Sequence, residues 1–379
     1  MLNRIVLSGS ALFLLLSCLL LPVGAKASFA AEKGPLLQSE LIQMAADQQT
    51  YDGAKAKTYL KGHVSVAYKN VRIKSVEGVI DLNAAGSPEL ASFFKRPTAK
   101  RLEPKVGEDD LVADIIRIHL NDDAMTAEGN VVSYVTTVAS DPFTIRSDVQ
   151  QFDNLSKTIL ARGQVSVNYK GTKIFSPRAI LQVGPSGKAE KAVFSGGARM
   201  EEEASEVTGE KLTMMIASGN LIADNNVKSR VKVKDAQGNQ TALLIIHSDY
   251  QQYDKASDTV IASGNVKIDY DGYIATGPKA TFKMKNGQID NILLVGRPSI
   301  IENDRKIVAD KITITTLPKH FDAYGNVKTQ FQKKPMPAAS TPTSTPAASA
   351  KGGKKPVTAT NPRKPAPKIF TPEQDLVEE

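Results

Sequence analysis

Cysteine and tryptophan are almost absent from this chain of 379 residues, which has one cysteine, Cys18, and no tryptophan. Cys18 lies in an apolar N-terminal run, so the remainder of the chain can form neither a disulfide framework nor a thiolate metal site. The four histidines are dispersed and lack the spacing of a metal-binding motif such as HExxH. The nucleophile elbow GxSxG is also missing. We therefore expect no catalytic residue, no metal and no cofactor, and the protein is not predicted to be an enzyme.

Dense positive charge is missing from the body of the chain, although the formal net charge is +8. Residues 1–30 contribute +2, and residues 333–379 contribute +4, from eight Lys and Arg against four Asp and Glu. Only +2 remains for residues 31–332. Nucleic-acid binding depends on a concentrated basic surface, so nucleic acid is not an expected partner.

Long apolar runs are limited to one, from Ile5 to Gly24. It follows the cationic Arg4 and precedes small residues at which a signal peptidase could cut, at 25–27 (AKA) or 28–30 (SFA). Residues 1–30 are therefore predicted to be a signal peptide that exports the protein to the periplasm. The run is about as long as a bilayer-spanning helix of ~20 residues, so an uncleaved inner-membrane anchor is the alternative.

The C-terminal segment, residues 333–379, holds nine of the 20 prolines, and Ala, Ser, Thr and Lys fill most of the remainder. A segment of this composition buries too little apolar surface to offset the entropy lost on ordering it. We predict a disordered C-terminal tail.

The strongest positive signal is a repeat with an interval of 101 residues. The hexapeptides DQQTYD, DVQQFD and DYQQYD begin at residues 47, 148 and 249, and glycines follow at 62, 163 and 264. An interval kept this regularly predicts three copies of one structural unit. We place the first, second and third units at residues 45–147, 148–248 and 249–332.

Each repeated glycine opens a run in which apolar and polar residues alternate: GHVSVAY, GQVSVNY and GNVKIDY. Alternation with a period of two is typical of a β-strand with one buried face. Turn signals at 69–70, 170–171 and 271–272 separate each run from a second extended run, as in a β-hairpin. The inward row predicted from this pattern is Val64, Val66, Tyr68, Val165, Val167, Tyr169, Val266, Ile268 and Tyr270.

Each unit also has a second half with its own strand and turn signals, closing at 129–130, 225–226 and 325–326. Short connections between strands predict antiparallel pairing, so the fold class is all-β, either a two-layer roll or stacked antiparallel sheets. Pro177 and Pro278 fall at matching places and are expected at an edge or a bulge. The stretch from Asn83 to Leu111 is predicted to be a loop insert in the first unit.

The stretch from Val295 to Phe331, with the repeated D-x-x-Q-Y/F-D and A-x-G-x-V strand pairs, resembles the LptA/OstA family of lipopolysaccharide-transport proteins. The resemblance covers most of residues 45–331. It implies an open β-jellyroll, a V-shaped pair of antiparallel sheets whose apolar interior accepts the acyl chains of lipopolysaccharide. It also implies that rolls join edge to edge across the periplasm. The implied partners are lipopolysaccharide or a related amphiphilic lipid, other jellyroll transport proteins, and further copies of this chain.

The leading hypothesis is therefore a non-enzymatic lipid bridge between the inner and outer membranes, with the nine inward residues lining an apolar trough. The same residues could be ordinary core, and an exported β-solenoid scaffold or adhesin without lipid is the alternative function. An interior packed shut favours the scaffold. An open apolar groove that continues through all three units favours transport.

Asp47, Asp148 and Asp249 recur once per unit. A carboxylate before a strand usually accepts hydrogen bonds from the backbone N–H groups of a turn, so we expect a structural cap. A polysaccharide-degrading β-helix enzyme would need several carboxylates on one face, and the repeat supplies only one matched aspartate per unit.

Overall fold

The computed structural model describes residues 5–7, 42–103, 107–139, 141–153, 155–234, 239–285 and 288–331. The predicted all-β class is confirmed, because these residues form 25 strands and no helix. The predicted tail, and all of the predicted signal peptide except a strand at 5–7, lie outside the described residues. Within the described ranges, no helix has the length and hydropathy needed to cross a bilayer.

The strands are β1 (Ile5–Leu7), β2 (Ile42–Ala45), β3 (Gln48–Asp52), β4 (Lys57–Tyr68), β5 (Val71–Leu82), β6 (Pro88–Phe94), β7 (Thr98–Glu103), β8 (Gly107–Val112), β9 (Ile115–His119), β10 (Ala124–Val135), β11 (Phe143–Asp153), β12 (Thr158–Tyr169), β13 (Thr172–Val183), β14 (Ala189–Glu201), β15 (Ser205–Met215), β16 (Asn220–Lys234), β17 (Gln240–Asp254), β18 (Thr259–Tyr270), β19 (Tyr273–Lys285), β20 (Gln288–Val295), β21 (Ser299–Glu302), β22 (Arg305–Val308), β23 (Lys311–Thr315), β24 (His320–Tyr324) and β25 (Lys328–Phe331).

These strands form one sheet, and from β10 to β20 each strand pairs antiparallel with the next strand in sequence. The β10–β11 pair lies where the predicted first and second units meet, and we name it the first junction. The β16–β17 pair connects the second and third units, and we name it the second junction. The sheet is therefore continuous through both junctions.

The predicted loop insert from Asn83 to Leu111 is wrong. Residues 83–87 form a turn, but β6, β7 and most of β8 lie in this stretch. β6 pairs with β5 and β9, while β7 pairs with β5 and β8. The alternation is hidden because three consecutive residues of β6, Ala91, Ser92 and Phe93, are all buried. A strand segment that is buried on both faces shows no period of two.

A row of β-bulges crosses the sheet at the middle of its strands, and we name it the corner row. At six of these places, two consecutive residues with positive φ lie opposite a single residue of a neighbouring strand. At 95–96, 296–297 and 325–326 such a pair lies between two successive strands. The pairs are Gly62-His63, Lys95-Arg96, Gly129-Asn130, Gly163-Gln164, Gly196-Gly197, Asn225-Asn226, Gly264-Asn265, Gly296-Arg297 and Gly325-Asn326. Positive φ favours glycine and is tolerated by asparagine, which explains the repeated glycines. Because a bulge bends its strand, the sheet folds along this row.

Four of the repeated prolines and aspartates, Pro177, Pro278, Asp148 and Asp249, occupy single positions of the corner row. Pro177 and Pro278 lie at bulges, as predicted. Asp47 covers a glycine 15 residues later, at which an added Cβ would collide with the carboxylate, and the same holds for Asp148 and Asp249. The aspartates are structural, but the predicted backbone partners are not the ones found. Asp47 Oδ2 lies 2.7 Å from Nδ1 of His63, which follows the covered glycine. At the equivalent place in the third unit, the Asn265 side-chain amide donates to Asp249 Oδ2 at 2.9 Å.

Three apolar cores lie inside the folded sheet. Phe93, Phe194 and Phe282 are fully buried, one in each core. Removing an aromatic side chain of this size from water stabilises the fold by roughly 1.5–3 kcal/mol. Phe152, on β11, packs against both the first core and the second. The apolar interior therefore continues through the first junction.

Candidate functional site

The nine residues predicted to face inward do lie on the inner face of the folded sheet. Val64 and Val66 belong to the first core, and the corresponding residues of the later units belong to the second and third cores. Eight of the nine are buried, with exposed fractions from 1% to 8%, and Tyr68 is half-buried. Their side chains therefore pack within the cores. Contact with a lipid stays a prediction.

The ends of the bent strands meet on the side opposite the corner row, and we name the two rows of turns there the lips. The upper lip contains the turns at 69–70, 136–139, 170–171 and 271–272, and the lower lip contains those at 120–123, 155–157, 184–188 and 316–319. Contacts between the two lips close the interior at one place in each unit.

In the first unit, Tyr68 and Lys69 of the upper lip bind Asp123 of the lower lip, and we name this contact the first latch. The Tyr68 hydroxyl donates to Asp123 Oδ1 at 2.7 Å, and the Lys69 ammonium donates to Asp123 Oδ2. Burial works against ionisation of Asp123, but the hydrogen bonds from Lys69 and Tyr68 prevail and hold the pKa of its carboxyl below the usual value. Burial, assisted by the bond to Asp123, raises the pKa of Tyr68. The latch is therefore a contact of ionised Asp123.

In the third unit the lips are joined in a similar way. The Tyr270 hydroxyl donates to the backbone oxygen of Thr316 at 2.9 Å. Lys319 Nζ lies 2.9 Å from Asp271 Oδ2. Burial raises the pKa of Tyr270, so this hydroxyl remains a donor through the neutral range.

In the second unit the bridge between the lips is made by backbone. Ala189 N donates to Thr136 O at 3.0 Å, and Val138 N donates to Ala189 O at 3.1 Å. Thr137 between them is fully buried. The connection that follows β10 thus covers the interior of the second unit before the chain enters β11.

Two polar pairs cross the corner row inside the apolar interior. Ser133 Oγ donates to Gln150 Oε1 at 2.7 Å, and Ser229 Oγ donates to Gln251 Oε1 at 2.5 Å. Gln150 Nε2 donates to Ile145 O at 3.4 Å, whereas the buried Nε2 of Gln251 has no hydrogen-bond partner among the described residues. Sequence analysis missed these pairs. The available signal was a glutamine repeated at 49, 150 and 251.

An apolar cavity of about 150 Å³ opens between the lips at the first junction. Its apolar wall contains Ile118, Met125, Phe152, Ile159 and Val183. The charged residues that line it are Lys69, Arg101, Asp123, Asp153 and Lys157. A smaller cavity of about 40 Å³ shares part of this wall. At the first junction the interior is therefore accessible between the lips, with charged side chains around the opening.

Within the described ranges, no group of three His, Cys, Asp or Glu side chains is placed to hold a metal ion. No protein-family model matches this chain, and no curated protein matches it. Among solved structures, the chain is similar to LptH of Pseudomonas aeruginosa, described as the LptA-homologous periplasmic component of a lipopolysaccharide transport device. The match has 10% sequence identity and a TM-score of 0.20, and it covers 37% of this chain and 75% of LptH.

Proposed function

We propose that this protein is a periplasmic bridge that binds lipopolysaccharide or a related amphiphilic lipid and carries it from the inner membrane to the outer membrane. The proposal combines the family resemblance of the sequence with one structural observation, an apolar interior that continues through the first junction. One sheet passes through both junctions, and Phe152 packs against two successive cores. The units at 45–147, 148–248 and 249–332 then act as successive segments of one track.

The inner face suits an amphiphile because its acyl chains must be shielded from water, whereas its sugars are hydrated. Shielding an acyl chain from water is worth about 0.8 kcal/mol per CH₂, so an apolar trough lowers the barrier to transfer at every step. The sugars remain in water outside the lips. The cavity of about 150 Å³ at the first junction is smaller than the roughly 300–1,000 Å³ of an ordinary ligand pocket. Entry of a whole lipid therefore requires the contacts between the two lips to open.

A photo-crosslinker placed at Val167 or Ile268 tests the proposal in cells that make lipopolysaccharide. Both residues are 1% exposed and face the interior, so covalent adducts with lipopolysaccharide are expected at both. The matched controls are Asn168 and Asp269, the exposed outward neighbours, which should give none. Absence of adducts at Val167 and Ile268 in a folded protein would contradict the bridge.

An exported β-solenoid scaffold or adhesin without lipid is the second candidate, and the burial of the inward row favours it. Eight of the nine predicted lipid-contact residues are packed within the cores. A scaffold needs no opening of the lips. A disulfide engineered across the first latch, as Lys69→Cys with Asp123→Cys, separates the two functions: locked lips should block lipid crosslinking, whereas a scaffold keeps its function.

Assembly with further copies, or with other jellyroll transport proteins, would use the free strands at the end of the sheet. Tyr324, Val327 and Phe331 lie there with exposed fractions of 52%, 49% and 77%. Unpaired backbone groups at such an edge accept an additional strand. The internal junctions supply a template, in which the strand bearing Thr329 would pair with β2 of a second copy, with Thr329 opposite Met44.

Assembly at this edge depends on whether β1 is present. β1 pairs with β2, so it occupies the strand that a second copy would use. Removal of residues 1–30 by a signal peptidase would free this edge. Sedimentation should therefore show self-association of a chain that begins at residue 31, and Val327→Asp should abolish it. A monomer at high concentration would contradict self-assembly without affecting the lipid site.

A further inference from the structure

The two junctions share a backbone register but differ in the side chains at the lips. Phe152 and Val183 line the cavity at the first junction. The residues 101 positions later, near the second junction, are Tyr253 and Met284. Phe152 and Tyr253 occupy matching positions in their strand pairs, and Val183 and Met284 both follow a register shift near the ends of theirs.

The side chains near the second junction are larger and are held in place. Met284 packs against the third core. The Tyr253 hydroxyl donates to Asp258 Oδ1 at 3.0 Å, and burial, followed by this bond, raises the pKa of Tyr253 to about 12. Both cavities described above lie at the first junction, where the smaller Val183 and Phe152, which has no hydroxyl, stand instead.

The charges around the first-junction cavity also differ from those at the second. Three cationic residues and two carboxylates line the cavity, a net charge of +1. Asp123 and Lys69 are joined in the first latch, and Asp153 accepts hydrogen bonds from Ser156. The counterpart of the cationic Lys157 at the second junction is Asp258, 101 residues later. The first junction therefore combines a cavity that has an apolar wall with a net positive charge on the residues that line it.

We infer that the cavity at the first junction is a binding site for one alkyl chain of an anionic amphiphile, with its phosphate or carboxylate head group at Arg101 and Lys157. The cavity, at about 150 Å³, has the volume of an apolar cavity that accepts benzene. The end of one chain therefore fits between Phe152 and Val183 without rearrangement. The inference rests on the proposed function, because it assigns the ligand class and the place at which a lipid first enters the interior.

The preference for an anion follows from the net positive charge of the residues that line the cavity. A negative head group gains charge-assisted hydrogen bonds from guanidinium and ammonium donors. A cationic head group would meet the same donors and be repelled. A free anion such as inorganic phosphate gains the charge contacts but leaves the cavity empty, so it should bind far more weakly than an anion that carries a chain.

Octyl phosphate is a suitable probe, with octyltrimethylammonium, octanol and inorganic phosphate as comparisons, measured by titration calorimetry on the chain from residue 31. We expect one site per chain and an affinity for octyl phosphate at least tenfold above that of each comparison compound. The variant Phe152→Tyr/Val183→Met carries the side chains of the second junction and should bind octyl phosphate at least tenfold more weakly. The matched control is Tyr253→Phe/Met284→Val, which leaves the first junction intact and should keep wild-type affinity.

The head-group assignment has its own variant, Lys157→Asp, which introduces the residue found at the second junction. It should lower the affinity for octyl phosphate at least tenfold and leave the affinity for octanol unchanged. Circular dichroism and thermal unfolding establish that each variant is folded. Equal loss for octanol and octyl phosphate would show that the head group is not held there and would overturn the assignment.

Wild-type affinity in Phe152→Tyr/Val183→Met, or no binding of octyl phosphate to the wild-type chain, would overturn the cavity as the site. Neither result bears on the bridge itself, because crosslinking of lipopolysaccharide at Val167 and Ile268 is measured separately. Conversely, octyl phosphate bound at the first junction without any lipopolysaccharide adduct would retain the anionic-chain site and contradict the proposed bridge.

Discussion

The first and second junctions show which features of the repeat are fixed and which vary. Both place a single aspartate, Asp148 or Asp249, opposite two residues of positive φ, and both carry a Ser–Gln pair across the corner row. They differ at the lips, where Phe152 and Val183 correspond to Tyr253 and Met284. The bulge that bends the strands is thus repeated at both junctions, while the side chains at the lips differ.

The two junctions also differ in the lengths of their strands. β16 and β17 have 15 residues each, whereas β10 and β11 have 12 and 11. The residues that would extend β10 instead cross to the lower lip and pair with Ala189. Shortening the strands at the first junction therefore supplies a cover for the second unit.

The largest effect on the free energy of unfolding is expected when the bulge at Gly129 is given the residue found at the second junction. Gly129, in β10, has positive φ, and a Cβ there would collide with the carboxylate of Asp114. At the second junction the equivalent residue is Asn225, and Glu210 stands in place of the aspartate. Gly129→Asn should therefore destabilise the fold by about 3 kcal/mol, from backbone strain and steric collision, as measured by urea unfolding.

The reverse exchange provides the control. Asn225→Gly removes no contact with a covering aspartate and relieves positive-φ strain, so its effect on the free energy of unfolding should stay within about 1 kcal/mol. Gly129→Asn/Asp114→Glu recreates the combination found at Asn225 and should recover much of the lost stability. A cost below about 0.5 kcal/mol for Gly129→Asn alone would show that the aspartate can move aside at no expense, contrary to a fixed corner.

The corner row was largely predictable because its chemistry is local. A residue with positive φ favours glycine or asparagine, so Gly62, Gly163 and Gly264 could be recognised at a fixed interval without knowing their neighbours. The alternating runs that follow them gave the inward row for the same reason. The aspartates were correctly predicted to be structural, but their partners were not, because those side chains come together only after the strand has bent.

The lips could not be predicted, because they are formed by residues distant in sequence. Tyr68 and Asp123 are 55 residues apart and meet only when both halves of the sheet close over the first core. The exchange of Val183 for Met284 is visible in the sequence, but the cavity depends on the combined volumes of several strands. β6 was missed for a related reason, since burial of Ala91, Ser92 and Phe93 together removes the alternation.

The two Ser–Gln pairs predict a smaller difference between the junctions. Gln251 Nε2 is buried without a partner, whereas Gln150 Nε2 donates to Ile145 O. Replacing both members of the second pair, as Ser229→Ala/Gln251→Leu, should be neutral or stabilising by up to about 1–2 kcal/mol, because an unsatisfied buried amide is removed. Ser133→Ala/Gln150→Leu should be less favourable by about 1 kcal/mol in the same unfolding assay. Equal effects would indicate that a bound water satisfies Gln251.

The smallest effect is expected at the first latch, and it depends on pH. The pKa of Asp123 is lowered in the folded state, so its contribution is present above the usual carboxyl value and is lost as the pH falls through the lower folded value. Both partners of Asp123 are partly exposed, and such contacts are worth roughly 0–1 kcal/mol. Acid should therefore open the lips locally before the fold unfolds. Hydrogen exchange at 120–123, corrected for intrinsic rates, should lose protection as the pH falls below the usual carboxyl value, while Asp123→Asn should show reduced protection at neutral as well as at acid pH. The lips of the second unit supply the internal comparison: their bridge to Ala189 is made by backbone groups that do not titrate, so protection there should stay constant over the same range.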